Sequence, residues 1–406
     1  MLMFVFGAGA SFDSDPLRRP GYPEEEYLYG DSRPPLAKEL FTPPSIDGQN
    51  IVAEFPRAAP IIMDLRKAVA RGEDVEEVLE KISASANSYP ARSAQLLAFR
   101  GYLARLLTQI PSDWAEQCQG LTNYVQALSA VDRWNAEGQH PEGRHPISCV
   151  SFNYDLLLEQ AVDRAFGHPI NDLADFTSSN DIHIYKPHGS VLWRQAARWS
   201  LNHQELLIGE AGWHQAIKEA HTLEWLEEWQ QTDPPVDDDG FDYQDPEDLT
   251  KVWLPALSIP VRRKSVFTMP PDHREALTDD LGKVTTMVAI GWRARERHFL
   301  QLLQDHMPSQ PARLVAVAEN ESAARETVDN LWPTGRFQAY AVSTIGFSGF
   351  ADGPSDDDLL DDENLPSLTL AALLEDYGVR WIRRQPGSGL PHEAESPYFA
   401  PNYADL

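Results

Sequence analysis

The feature that most constrains this chain is a series of short apolar segments that recur along its whole length. They lie at residues 2–6, 147–151, 183–186, 286–290, 314–318 and 337–342. Most are continuously apolar rather than alternating. A strand with one wet face alternates, whereas a parallel strand covered by helices on both faces is apolar throughout. Between these segments, residues 75–82, 94–110, 121–134, 156–166 and 295–304 carry apolar residues three to four apart, the period of a helix with one buried face. Strands alternating with helices predict an α/β protein with a doubly wound parallel sheet, Rossmann-like in type.

The spacing of the segments predicts the organisation. Residues 1–34 and 146–345 form the expected nucleotide-binding core. Residues 35–145, which separate the first two strands, read as a large helical insertion or subdomain punctuated by Pro56, Pro60, Pro90 and Pro111. A second insertion, about 195–280, mixes tryptophans, helix and acid, and residues 346–406 read as an acidic C-terminal extension with an aromatic tail at 398–403. No internal repeat of fixed period is present.

Composition narrows the function classes. With 406 residues, 42% of them hydrophobic, the chain can bury a full core. No apolar run approaches the ~20 residues of a spanning helix, and the start lacks a basic segment followed by an apolar stretch and a cleavage site. These readings predict a cytoplasmic protein without a membrane partner. The two cysteines, Cys118 and Cys149, cannot supply a four-thiolate zinc site, so no metal is expected, and both thiols are expected to be buried in a reducing compartment. The formal charge is −28, much of it in acidic blocks at 233–248 and 352–363 that read as solvated or disordered. A field of that sign repels phosphate backbones, so direct nucleic-acid binding is not expected.

Three strand ends carry candidate chemistry. The first strand runs into Gly7, Ala8, Gly9, Ala10 and Ser11, small residues that let a diphosphate approach backbone amides at a helix start. A tight ligand-free turn explains the same residues equally well. The second ends in Phe152, Asn153, Tyr154 and Asp155, which places Asn153 and Asp155 where open α/β sheets bind ligands. Helix capping competes with that role, and for Asp155 it is the stronger reading. The third runs through Lys186 and Pro187 into His188, Gly189 and Ser190. Imidazole is the side chain best suited to moving protons near neutral pH, although most of the 12 histidines must be structural. Two further strand ends, at Gly291 and at Glu319 and Asn320, could contact ribose or adenine or be simple turns.

In this order the segments FGAGAS, FNYD, KPHGS, IGW and VAVAEN resemble the sirtuin family, and most closely its divergent bacterial NAD hydrolases of anti-phage defence. The motifs span positions 4 to 320. The resemblance implies a sirtuin-type Rossmann core that takes NAD as its substrate. It assigns catalysis to Asn153 and His188, and cofactor contacts to Gly7, Ala8, Gly9, Ala10, Ser11, Asp155, Gly189, Ser190, Gly291 and Asn320. This chain departs from the deacylating members. It has too few cysteines for their zinc module, and Leu257, Ser258, Ile259 and Pro260 stand in the approximate place of their peptide-binding phenylalanine-glycine-glutamate motif. The likeness therefore covers the cofactor half and not acyl-lysine recognition, which leaves cleavage of the nicotinamide–ribose bond as the expected reaction. It also implies a homo-oligomer, joined with a HerA-like ATPase or another sensor protein. A protein deacylase, a non-catalytic NAD or ADP-ribose sensor, and an interaction protein on an α/β scaffold are the competing readings.

Overall fold

The computed structural model describes residues 1–15, 34, 36, 40–41, 51–86, 89–137, 146–198, 216–218, 220–232, 248, 251–259, 267–309, 311–352, 368–376 and 379–383. The acidic blocks lie outside the described residues except for Asp248 and Asp352, and the aromatic tail lies wholly outside them.

In chain order the strands are β1 (Leu2–Phe6), β2 (Ile147–Ser151), β3 (Ile182–Tyr185), β4 (Gly189–Arg198), β5 (Glu224–Gln231), β6 (Lys251–Leu257), β7 (Thr286–Ile290), β8 (Ala312–Val317), β9 (Phe337–Ser343) and β10 (Ile382–Arg383). Seven of them form one sheet in the order β10-β9-β8-β7-β1-β2-β3. Every pair is parallel except β10 with β9. From β1 the chain builds outward through β2 and β3, then returns to the other side of β1 and builds outward through β7, β8 and β9. The order reverses between β1 and β7, which makes the carboxyl ends of these two strands the switch point of a Rossmann-like sheet. Met3, Phe4, Val5 and Phe6 are all fully buried, as a strand at the centre of a sheet covered on both faces must be.

The described apolar residues form two clusters. The first surrounds the large sheet. It includes the helices Asn123–Glu137, Leu157–Phe166 and Arg297–His306. The second unites the helices Ala59–Ala70 and Val75–Ser85 with β4 and β6, the centre and one edge of an antiparallel sheet ordered β5-β4-β6. The helix Val75–Ser85 shows why these segments are helical. Val75, Leu79 and Ile82 share one buried stripe, and the Asp74 side chain caps the first turn by accepting from Glu77 N at 3.0 Å. Burying each large apolar side chain of that stripe contributes roughly 1.5–3 kcal/mol. The long helix Pro90–Gln117 joins the two clusters, with Leu97, Leu103 and Leu107 in the second and Trp114 in the first.

The helix Asn123–Glu137, within residues 35–145, packs against the large sheet, and so does Pro271–Leu281, at the end of the span 195–280, through Leu277 and Leu281. The antiparallel strands β4, β5 and β6 are absent from the sequence reading. Among the described residues no helix is long and apolar enough to cross a membrane.

Candidate active site

The turn after β1 is built by contact between two backbones. Gly7 N donates to Ile290 O at 3.0 Å, Gly9 N to Gly291 O at 3.1 Å and Ala10 N to Gly7 O at 2.9 Å. A Cβ on Gly7 would lie 2.5 Å from Gly291 O and 2.6 Å from Trp292 Cα. Gly291, at φ +57°, is as tightly placed, since its Cβ would lie 2.4 Å from Ala10 N. The glycines are thus required so that the ends of β1 and β7 can touch. Three of the amides expected to cradle a diphosphate are engaged within the protein. Ala8 is the exposed residue of this turn, and Ala10 and Ser11 are buried.

β2 delivers Asn153 to the same place. Phe152 N donates to Phe6 O at 2.9 Å, which continues the strand pairing by one step and sets the next residue against the turn. Asn153 is buried, and its Nδ2 donates to Gly7 O at 2.9 Å, to Ser11 Oγ at 2.9 Å and to Tyr124 Oη at 3.2 Å. A backbone carbonyl can only accept, so the contact with Gly7 O fixes the amide nitrogen toward the turn and Oδ1 away from it. Ser11 Oγ and Tyr124 Oη are themselves 3.0 Å apart. Burial, reinforced by the negative charge of Asp155, raises the Tyr124 phenol well above its ordinary range, so it stays neutral.

Asp155 is engaged in capping. Its Oδ1 accepts from Leu157 N at 3.1 Å at the start of the helix Leu157–Phe166. Its backbone carbonyl is held by Lys186, which is fully buried and donates from Nζ to Asp155 O and to the Glu159 side chain at Oε1. Burial raises the Glu159 carboxyl above the usual carboxylate range despite the adjacent ammonium. The pair ties the loop after β3 to the loop after β2.

That tie carries His188 into the site. Its buried ring stands edge-on to Phe152 at 4.8 Å and lies 6.2 Å from the Tyr154 ring and 6.1 Å from the His298 ring. Phe152 in turn stacks on Trp292 at 5.0 Å, and Trp292 is the residue that abuts Gly7. The glycine turn, Asn153 and His188 are therefore joined through one aromatic ring. Gly189 and Ser190 open β4 instead of a loop. Gly189 has φ +86° and lies so close to β6 that a Cβ would meet Ala256 O. Ser190 is buried, and among the described residues its Oγ has no hydrogen-bond partner.

Gly7, Ser11, Asn153, His188 and Gly291 are thus gathered at the strand-order reversal, with Asp155 at its margin. Asn320 is placed differently, as an exposed N-cap whose Oδ1 accepts from Ala323 N at 2.9 Å at the head of the helix Glu321–Leu331. Tyr124, Lys186, Phe152 and Trp292 were not singled out from the sequence. Tyr124 reads there as one more apolar position of an amphipathic helix, because nothing local marks the partners of its hydroxyl. Among the described residues no group of three or more histidine, cysteine, aspartate or glutamate side chains could hold a metal ion. Cys149 is buried and Cys118 half-buried, and burial, with Asp15 adding to it, pushes the Cys118 thiol up to about 12.

No family model matches this chain, and no curated protein matches it. Among solved structures it is similar to a mutant Sir2 homologue in complex with ADP-ribose, at 11% identity and a TM-score of 0.28, over 82% of this chain and 91% of that one.

Proposed function

We propose that this protein is an NAD hydrolase that cleaves the nicotinamide–ribose bond to give nicotinamide and ADP-ribose. The observation that carries the reading is the Asn153 amide at the switch point, clamped by its nitrogen with Oδ1 turned away from the turn, next in the chain to Phe152, against whose ring the His188 imidazole stands edge-on. The order of the motifs supports the same assignment.

In the reaction the C–N bond to nicotinamide breaks and its electron pair leaves with the nicotinamide nitrogen. Positive charge develops on the ribose, and a water oxygen bonds to the vacated carbon. Asn153 Oδ1 accepts a hydrogen bond from that water or from a ribose hydroxyl and so orients it, and His188 takes the proton that the water loses. Phe152, Trp292 and Tyr154 exclude bulk water around the imidazole. With the amides of Gly7, Gly9 and Ala10 engaged internally, the diphosphate is read to lie along the exposed side of the turn at Ala8.

In this reading the enzyme is a cytoplasmic effector of anti-phage defence that acts by depleting NAD. It is held in check by assembly, as a homo-oligomer or with a HerA-like ATPase or other sensor. Incubating the purified chain with NAD, alone and with its genomic neighbours, should release nicotinamide and ADP-ribose without an acyl-lysine peptide. Tight NAD binding with no release under any of these conditions would favour a sensor instead. Light scattering should give a mass above that of one chain, and a monomer both alone and with the neighbouring gene products would remove the assembly proposal.

A further inference from the structure

We infer that Tyr124 is a positioning residue for Asn153: its hydroxyl, with that of Ser11, holds the carboxamide in the one orientation that presents Oδ1 to substrate. This inference rests on the hydrolase reading for its activity arm only.

The geometry is that of a closed polar knot. Asn153 Nδ2 has two hydrogens. One reaches Gly7 O at 2.9 Å, and the other is shared between Ser11 Oγ at 2.9 Å and Tyr124 Oη at 3.2 Å. The two hydroxyls are linked at 3.0 Å, so one donates to the other and both present lone pairs to the amide. A turn of the amide by half a revolution would set Oδ1 against Gly7 O, two acceptors face to face. The hydroxyl pair adds a lateral restraint that Gly7 O alone lacks, because a single hydrogen bond leaves the side chain free to swing about it.

Tyr124 is itself rigidly held. Its ring packs on Phe6 at 4.9 Å and edge-on against Phe347 at 5.2 Å. Phe347 lies in the first turn of the short helix Gly346–Asp352, whose Phe347 N and Ser348 N donate to Asp13 Oδ2 at 2.7 and 3.1 Å. Asp13 ends the helix that begins at the glycine turn. The restraint on Asn153 thus comes from two segments, Asn123–Glu137 and Gly346–Asp352, that lie outside residues 1–34 and 146–345.

Tyr124→Phe keeps the ring and removes only the hydroxyl. Two readouts on the folded full-length chain test the inference. In NAD turnover, kcat should fall roughly 3- to 10-fold, the size of one buried hydrogen bond, with KM little changed. Ser11→Ala combined with Tyr124→Phe should cost less than the product of the two single effects, since both act on one amide. In asparagine-¹⁵N-labelled protein, the side-chain NH₂ pair that disappears in Asn153→Ala should be exchange-protected in the wild type and exchange faster in Tyr124→Phe. Unchanged amide exchange, or an effect confined to KM, would overturn the positioning role. If the wild type fails to cleave NAD under every condition, the hydrolase reading fails, and amide exchange alone decides the role of Tyr124.

Discussion

The two apolar clusters are built to different tolerances. Around β1 and β7, backbone meets backbone, and the polar atoms at the strand ends are bonded to one another. In the second cluster, helices lie across a small antiparallel sheet whose outer strand β5 is largely exposed, with Trp225 at its surface. Both clusters bury large side chains completely, so the contrast lies in what surrounds the turns. The proposed reaction, which orients a sugar within a fraction of an ångström, calls for the more tightly tied of the two regions.

Two glycines with positive φ sharpen the comparison. Gly291→Ala meets backbone at 2.4 Å as well as an unfavourable dihedral. It should destabilise the fold by about 3 kcal/mol or more, the sum of overpacking and left-handed strain. Gly72→Ala, at φ +70° with open space around it, incurs the strain alone and should cost about 1–2 kcal/mol. Urea midpoints for the two variants check this, and equal losses would break the contrast.

A second buried knot, at the other end of the large sheet, is expected to matter for stability and not for turnover. Asp280 Oδ2 accepts from Ser148 Oγ at 2.7 Å, His183 Nδ1 at 2.7 Å and Tyr185 Oη at 2.9 Å, while Lys283 Nζ donates to Oδ1 at 3.0 Å. Burial opposes the charge, but the donors from His183 and Ser148 outweigh it and hold the carboxyl well below its usual range. Its stabilisation is therefore present above pH ~4, the unfolded value, and is lost as pH falls below that toward the folded value. Asp280→Asn should cost about 2–3 kcal/mol at neutral pH, less as the pH falls below 4, and leave kcat intact in the folded fraction. A variant equally destabilised at pH 3 and pH 7 would contradict the assignment. The smallest effect belongs to the surface of the second cluster. Glu228→Ala removes a 2.7 Å pair with Lys251 whose glutamate is 49% exposed, and it should change stability by under about 1 kcal/mol.

The parallel sheet was legible in the sequence because its strands are buried on both faces. β1, β2 and β7 match their expected bounds, and β3, β8 and β9 fall within two residues of them. β4 escaped notice because its register with β6 breaks between Gly189 and Arg194 and its partners lie far along the chain. The capping role weighed for Asp155 could be seen from its place before a helix. The clamp on Asn153 could not, since Ser11 and Tyr124 reach it across 142 and 29 residues. The glycines were visible, but the sequence left a ligand and a tight turn equally open as their reason, and could not show that the end of β7 lies against them.

In the proposed reaction the Asn153 amide and the His188 imidazole act on one glycosidic bond. The direct measurement is nicotinamide release from NAD by the wild type, Asn153→Ala and His188→Ala, each verified as folded by its melting transition. The wild type should release nicotinamide rapidly, and each variant should lose at least ~100-fold. Release by both variants at the wild-type rate would contradict it.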